Sequence, residues 1–420
     1  MNNIYLDSAA ATPMDPRVLK TMLPYFCEEY GNPSSLHTLG SKAREAVDHA
    51  RKTIADFLNT THGAKRSELS PPAFSPQRSE VRSPNFFLSP TEIIFTGSGT
   101  ESDNLAVFGI ADAYASRGKH LITTAIEHEA VLKPMKALEK KGFRVTYLPV
   151  NREGIVKLDA LEKALTKETI LVSVMAANNE IGTLQPLAEI ARILQHHHKE
   201  NKIEFPFFHT DACQAPNAIK LDVKAMGVDL LTLNGSKIYG PKGIGLLWVK
   251  KGIKLTPQML GGGQEQGLRA GTHNVPAIVG FAEAFRLVEK DREVENEKQK
   301  TLRIKLLSGI QTHFPKLKVN GSLDHRLPGN LNITLRAIPG EVLLMKLDNA
   351  GIYASAGSAC TAGSADPSHV LLAMGLSRDD AFNSIRFSLG RFTTKKEIDT
   401  VIEVFEKIAK ELKKQSGVYE

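Results

Sequence analysis

Cysteine is nearly missing from this sequence. Three occur in 420 residues, Cys27, Cys213 and Cys360, odd in number, far apart and with no CxxC pair. That excludes a disulfide framework and the usual zinc-ligand spacings, and it favours a reducing compartment. Long apolar runs are missing too: none approaches the about 20 residues that a membrane span needs. The opening MNNIYLDSAAATP has no basic stretch leading into an apolar one, so it does not read as a secretory signal. A cytoplasmic protein without a membrane partner is expected. Neither sign of charge dominates: 53 Lys and Arg face 46 Asp and Glu, a net +7 spread over a long chain with no basic stripe interleaved with aromatics. Direct nucleic-acid binding is therefore not expected. No internal repeat is visible.

What is present is alternation. Short β-branched or apolar runs recur: TEIIFTG (91–97), KHLITTA (119–125), FRVTYLPV (143–150), TILVSVMAA (169–177), FPFFHTD (205–211), VDLLTLNG (228–235) and GIGLLWVK (243–250). Amphipathic helical patterns separate them, for example around 102–117 and 187–198. This predicts an α/β domain with a mostly parallel sheet, whose functional groups gather at the carboxyl ends of strands. After GGGQEQGLRAGTHNV (261–275) the character changes to a long charged helix over about 275–307, then short strands near 329–335 and 384–389 with helices between. A second, smaller α+β domain is expected to begin near Gly267. Residues 60–90 are rich in Ser, Pro and Arg without periodicity and read as a flexible, solvated insertion, with a docking element as the alternative. The triplet His196–His198 reads as a solvated helix end, because adjacent residues do not share a helix face. No metal site is expected.

Several residues at strand ends can carry chemistry. Asp211 stands where an apolar strand runs out, a costly place for a carboxylate unless it meets a cation or a protonated ring nitrogen. Lys237 stands on the turn after the next strand, among glycines that permit close approach. Pyridoxal phosphate needs such a pair, a Lys to join its aldehyde and an Asp for its ring nitrogen. A surface lysine and a helix-capping Asp is the other possibility. In TGSGTESDN, Gly97, Gly99 and Thr100 lie at a helix start, where free N–H groups and the helix dipole attract a phosphate; an ordinary turn with Thr100 as the cap is the alternative. His128 is placed to stack on a flat ring or only to cap a helix. Asn179 follows a strand and can reach a ring hydroxyl or simply close a turn. In NSIRFSLGRF, Ile385, Phe387 and Leu389 share one face, which puts Arg386 on the other. There it can grip a carboxylate through two hydrogen bonds or serve a structural ion pair. Arg391 reads as structural, and Cys27 and Cys213 as packing.

Taken in order, IYLDSAAATPMDPRV, YGNPSSLH, FTGSGTESDNLA, EHEAVL, NNEIGTLQPL, HTDACQ, GSKIYGPKGIG, GGGQEQGLRAGT, SAGSACTAG and SIRFSLGRFT resemble the cysteine desulfurases of the class V aminotransferase family, the NifS/IscS-like group. The likeness covers nearly the whole chain apart from 60–90. It implies the type I fold of pyridoxal-phosphate enzymes: a large domain over 15–266 with a mostly parallel seven-stranded sheet, and a smaller α+β domain formed by 1–14 and 267–420. It implies a homodimer. Carried over position by position, Lys237 would join the cofactor, Asp211 would pair with the ring nitrogen and His128 would stack on the ring. Asn179 and Gln214 would bond the ring-hydroxyl region. Gly99, Thr100, Asn234 and Ser236 would hold the phosphate, with Thr272 reaching over from the other subunit. Asn32 and Arg386 would hold the substrate carboxylate.

The resemblance also gives Cys360 a task. In SAGSACTAG (355–363) the thiol sits among small residues on what reads as a mobile loop. It would take sulfur from L-cysteine as a persulfide, release L-alanine, and carry the sulfur to an acceptor protein, an iron–sulfur scaffold or a thiolation enzyme. His128 would be the base for the thiol. Three departures from the pattern stand out: Ser236 where many relatives carry His, the 60–90 segment, and a chain that stops soon after KELKKQSGVYE. Another reaction on the same cofactor, such as selenocysteine lysis or aminotransfer, and a sulfur-delivery scaffold with weak chemistry remain as alternatives.

Overall fold

The computed structural model describes residues 3–59, 88–336, 338–356 and 366–416. The Cys360 loop lies outside the described residues, and so does the 60–90 segment except for its last three positions.

Seven short strands form the central sheet. Their order across it is Ile93–Thr96, Gly245–Val249, Leu230–Asn234, Phe207–Asp211, Thr169–Ser173, His120–Thr124 and Arg144–Leu148. Gly245–Val249 runs antiparallel to both of its neighbours, and the other ladders are parallel. Six of these strands are buried almost from end to end. That is why they read as continuous apolar runs rather than as alternating ones. Alternate residues still part company. Ile93, Phe95, Ile122, Val172, Phe208 and Leu231 face one apolar core. Their neighbours Ile94, Leu121, Leu171, Phe207 and Leu230 face another, on the opposite side of the sheet. The fold is thus a three-layer α/β sandwich. Helix Thr38–Leu58 covers the first face with Ala43, Val47, Ala50, Ile54 and Leu58, a three-and-four spacing that makes one stripe.

A second unit has its own core around a three-stranded antiparallel sheet ordered Ser384–Ser388, Asn330–Thr334, Lys318–Asn320. Leu331, Ile333, Ile385 and Phe387 pack there against Ile398, Val401, Phe405 and Ile408 of the C-terminal helix Lys395–Ser416. Helix Val275–His313 joins this core to the first. Its 39 residues span about 58 Å, with Ala277–Val288 in the first core and Leu302–Ile310 in that of the second unit. It continues past the expected end near 307 because Leu306 and Ile310 still have a core to fill. The N-terminal Ile4 and Leu6 also belong to the core of the second unit, and Ile4–Tyr5 pairs with Ile352–Tyr353.

Two local expectations are corrected. The helix expected from about 102 begins at Gly99, and its cap is Ser98, whose Oγ accepts from the Glu101 N–H at 3.1 Å, rather than Thr100. Cys27 is exposed, not packed: it ends the short helix Pro24–Cys27, which buries none of its residues.

Candidate functional site

Six of the seven strands run in one direction and end at one edge of the sheet. The segments after Thr96, Asn234, Asp211, Ser173 and Thr124 meet there, around a cavity of about 190 Å³. Gly99 and Thr100 line it from the start of helix Gly99–Tyr114, Lys237 and Asn234 from the next turn, Asp211 and Gln214 from the middle strand, and Asn179 and His128 from the two beyond. Arg386 closes it from the small sheet. Residues from five separate stretches of the large sheet and one of the small sheet are therefore brought together.

Backbone chemistry explains each position. The helix start at Gly99 presents unpaired N–H groups and the positive end of its dipole. Close packing is what demands glycine there: a Cβ on Gly99 would stand 2.8 Å from the Cys213 sulfur, and one on Gly245 would stand 2.4 Å from the Ser98 carbonyl carbon. Lys237 ends a single tight turn, Gly235–Lys237, held by the Asn234 side chain, which accepts from Ser236 N at 3.0 Å and from Ser236 Oγ at 3.1 Å. Lys237 Nζ donates to the carbonyls of Ala9 (3.0 Å) and Ala10. Gln214 Nε2 donates to the same Ala9 carbonyl at 2.9 Å. Residues 7–15 thus form a strap across the cavity, tied to the Lys237 turn by Thr12, whose Oγ1 donates to Ser236 O at 2.9 Å and accepts from Tyr239 N at 2.8 Å.

The floor holds more acid than the sequence suggested. Asp211 accepts from the Cys213 N–H at 2.9 Å. Beside it, Asp103 is buried and also lines the cavity. Burial and the charge of Asp211 push its carboxyl well above the usual range. Glu127 is buried as well and burial pushes it up to about 8, although its Oε1 accepts from Thr124 Oγ1 at 2.7 Å and from Met175 N at 2.9 Å. His209, between Ser173 Oγ and Thr232 Oγ1 at 2.9 and 3.0 Å, is driven down to about 4 by burial, so it is neutral at pH 7. Burial likewise raises the Cys213 thiol well above its ordinary value, ahead of the charges of Asp211 and Asp103. Cys213 is a small cavity wall, not a nucleophile.

His128 is a helix cap whose ring also faces the cavity. Its Nδ1 caps helix Glu129–Lys140 by accepting from Ala130 N at 3.1 Å, and its ring lines the cavity. With Nδ1 accepting, the neutral ring carries its proton on Nε2. Arg386 is 1% exposed; Nη1 donates to Asn179 O at 3.1 Å and Nη2 meets Asp7 Oδ1 at 2.6 Å. Ile385 and Phe387 point the other way, into the core of the second unit. Arg391 makes a structural pair with Asp15 at 2.9 Å and lies over the Tyr239 ring at 4.6 Å.

Not every expected residue faces this cavity. Ser236 is the middle residue of the Gly235–Lys237 turn and does not line the cavity. Asn32 is exposed, its Oδ1 accepting from Ser34 N at 2.9 Å. Thr272 is exposed and lines a neighbouring cavity of about 210 Å³ with Gly97 and Arg269. Cys360 lies outside the described residues. Sequence reasoning missed Asp7, Asp103 and Glu127. Asp103 had a signal, because it stands one helical turn after Gly99 and so shares its face. Among the described residues, no cluster of His, Cys, Asp and Glu is placed to hold a metal ion, and no helix is long and apolar enough to cross a membrane.

The chain matches the family described as Aminotransferase class-V over residues 4–65 and 73–401. The gap between the two matches falls inside the segment read as an insertion. A cysteine desulfurase IscS of Clostridium botulinum is 44% identical over 419 residues, covering 99% of this chain and 97% of the relative. A solved NifS-like protein superposes with a TM-score of 0.84 at 36% identity, covering 97% of this chain and 100% of that one. A structure described as SspA in complex with cysteine gives 0.75 at 34% identity, over 93% and 100% of the two chains.

Proposed function

The chain belongs to the class V aminotransferase family, and on that footing we propose that it is a pyridoxal-phosphate-dependent cysteine desulfurase. It takes sulfur from L-cysteine, releases L-alanine and leaves a persulfide on Cys360. The observation that carries this reading is the convergence of Lys237, Asp211, His128, the Gly99 helix start and Arg386 on one cavity.

The donor set fits the cofactor. A lysine amine, a buried carboxylate and a helix N-terminus offer partners for its aldehyde, its ring nitrogen and its phosphate. Gly99 leaves the helix start bare of a side chain, as a phosphate cradle requires. Lys237, Asp211, His128, Asn179, Gln214, Gly99, Thr100, Asn234 and Ser236 would hold it, with Thr272 from a second copy. Pyridoxal phosphate, when bound, supplies an aldehyde for the amine and a ring that takes up the electron pair left at Cα.

The chain's own groups do the rest. The Arg386 guanidinium orients the substrate carboxylate; Asn32, expected to help, is exposed and does not line this cavity. The Lys237 amine takes the Cα proton and later returns one. Cys360 Sγ attacks the substrate sulfur as a thiolate. An S–S bond forms, the Cβ–S bond breaks, and the electron pair of that bond stays with the carbon fragment, which is protonated to L-alanine. Atoms balance without an added oxidant: cysteine and the Cys360 thiol become alanine and the Cys360 persulfide. His128 serves as the base for the thiol once its Nδ1 lone pair is released from the Ala130 N–H. An acceptor protein, an iron–sulfur scaffold or a thiolation enzyme, then removes the sulfur.

Exposed apolar side chains at Leu19, Leu23, Phe26, Tyr30 and Leu36 support a homodimer. Two apolar cores joined by one long helix support a cofactor unit over 15–266 and a smaller unit over 1–14 and 267–420. A cytoplasmic setting suits a chemistry that needs a free thiol.

The test is product analysis of the cofactor-loaded protein given L-cysteine and a reducing thiol. Alanine matched by sulfide is expected. Pyruvate, or no product from protein that still holds the cofactor, would overturn the assignment.

A further inference from the structure

Arg386 is read above as the anchor for the substrate carboxylate, yet it already has a carboxylate. Asp7 Oδ1 lies 2.6 Å from Nη2, while Nη1 is occupied by the Asn179 carbonyl at 3.1 Å. The Arg386 side chain is 1% exposed and that of Asp7 is 18% exposed, so Asp7 is the more open partner of the pair. Arg386 Nε is buried and has no partner among the described residues. One fork position of the guanidinium is thus taken by a resident anion and another is left for a ligand.

The backbone of Asp7 cannot swing away to make room. It forms a parallel bridge with Ser388, Ser388 N donates to Leu6 O at 2.7 Å, Ser8 N donates to Ser388 O at 3.1 Å, and Ala9 N donates to Ser388 Oγ at 2.9 Å. An amino acid seated on Arg386 therefore shares the cation with a neighbour of its own charge whose backbone is held in place.

We propose that Asp7 is a specificity-determining residue: it shares Arg386 with the ligand carboxylate, weakens the hold on every α-amino acid, and turns away amino acids that bring a second carboxylate. This rests on the reading of Arg386 as the carboxylate site. Two anions beside one buried cation repel, and the repulsion is felt by substrate and product alike. L-cysteine is bound loosely, L-alanine leaves readily, and L-aspartate or L-glutamate brings two negative charges up to Asp7 instead of one. Removing the Asp7 charge tightens all of them, and the dicarboxylic amino acids most. A salt bridge with only a structural role behaves in the opposite way, because its loss loosens the site.

The experiment is equilibrium binding of L-alanine and L-aspartate to the cofactor-loaded protein, followed by calorimetry, for wild type, Asp7→Asn, Asp7→Glu and Arg386→Gln. Asp7→Asn is expected to bind L-alanine about tenfold more tightly and to gain more for L-aspartate. Asp7→Glu, which keeps the charge, is expected to bind both as weakly as wild type. Should Asp7→Asn not fold, Asp7→Ser, small enough to admit a water beside Arg386, carries the same expectation. Unchanged or weaker L-alanine binding in the folded, cofactor-loaded neutral variants overturns the proposal. Arg386→Gln separates the two ideas. If it binds L-alanine as well as wild type, the reading of Arg386 itself falls; if it loses binding while the neutral Asp7 variants gain none, only the proposal for Asp7 falls.

Discussion

Glu265→Gln removes the carboxylate that ties three distant parts of the chain together. Glu265 is 5% exposed. Its Oε1 accepts from Arg51 Nη2 and from His273 Nε2, both at 2.7 Å, and its Oε2 accepts from Arg51 Nη1 and from Phe95 N, both at 2.8 Å. Helix Thr38–Leu58, strand Ile93–Thr96 and the segment leading to Thr272 thus meet on one side chain. Glu265 and Gln266 hold left-handed backbone angles, φ 48° and 59°, which non-glycine residues adopt only where their surroundings compel it. Breaking a buried pair by removing one partner costs about 3–5 kcal/mol. A second route gives a similar size. Burial alone would push the carboxyl up, but the hydrogen bonds from Arg51 and His273 outweigh it and hold the group down to about 2, against an ordinary 4.5. That difference corresponds to about 3 kcal/mol. The sign follows: a lowered folded pKa stabilises fully above about pH 5, and the contribution fades as pH falls from there towards 2. Urea unfolding can be followed by Trp248, the single tryptophan, which pairs with Ile93 in the same part of the sheet. The variant should lose about 3 kcal/mol at pH 7, and the gap to wild type should narrow at pH 4. A gap below about 1 kcal/mol at pH 7, or one that widens in acid, would refute the reasoning.

Three further outcomes are expected. Lys237→Ala should fold yet leave no cofactor attached after borohydride reduction and mass analysis; a retained covalent adduct would move the attachment to another amine. Cys360→Ser should keep cofactor uptake and lose alanine formation by about a thousandfold, read by amino-acid analysis, and normal turnover would make Cys360 incidental. Glu127→Gln should flatten the pH dependence of stability. The wild-type carboxyl is raised to about 8 by burial, so the native state holds a proton that the unfolded chain gives up between pH 4.5 and 8, and stability falls as pH rises through that window. Denaturation midpoints at pH 6 and 9 check this: the variant should be the more stable protein at pH 9, and an equal slope for both would contradict it.

Much of the fold was legible because strand burial and helix periodicity are local properties. The six buried strands read as apolar runs, and each of them is bounded by the residues that turn the chain. The placement of Gly99, His128, Asn179, Asp211 and Lys237 at strand ends was legible for the same reason: a polar residue that closes an apolar run announces itself within a few positions. That Arg386 faces away from Ile385 and Phe387 follows from the two-residue period of a strand. What Arg386 meets does not. Asp7 lies 379 positions away, and only the pairing of the N-terminal segment with Ser388 brings it there. Nor does anything along the chain mark Glu265, in its glycine-rich stretch, as the place where Arg51, Phe95 and His273 converge. The raised carboxyls of Asp103 and Glu127 were hidden too, because a protonation state depends on how much water and charge the packed neighbours leave around a group. Sequence by itself determined which segments become strands and helices and which residues stand at their ends, since those depend on neighbours along the chain. Tertiary structure alone decided which charges meet, which are buried and which proton each holds, since those depend on neighbours in space.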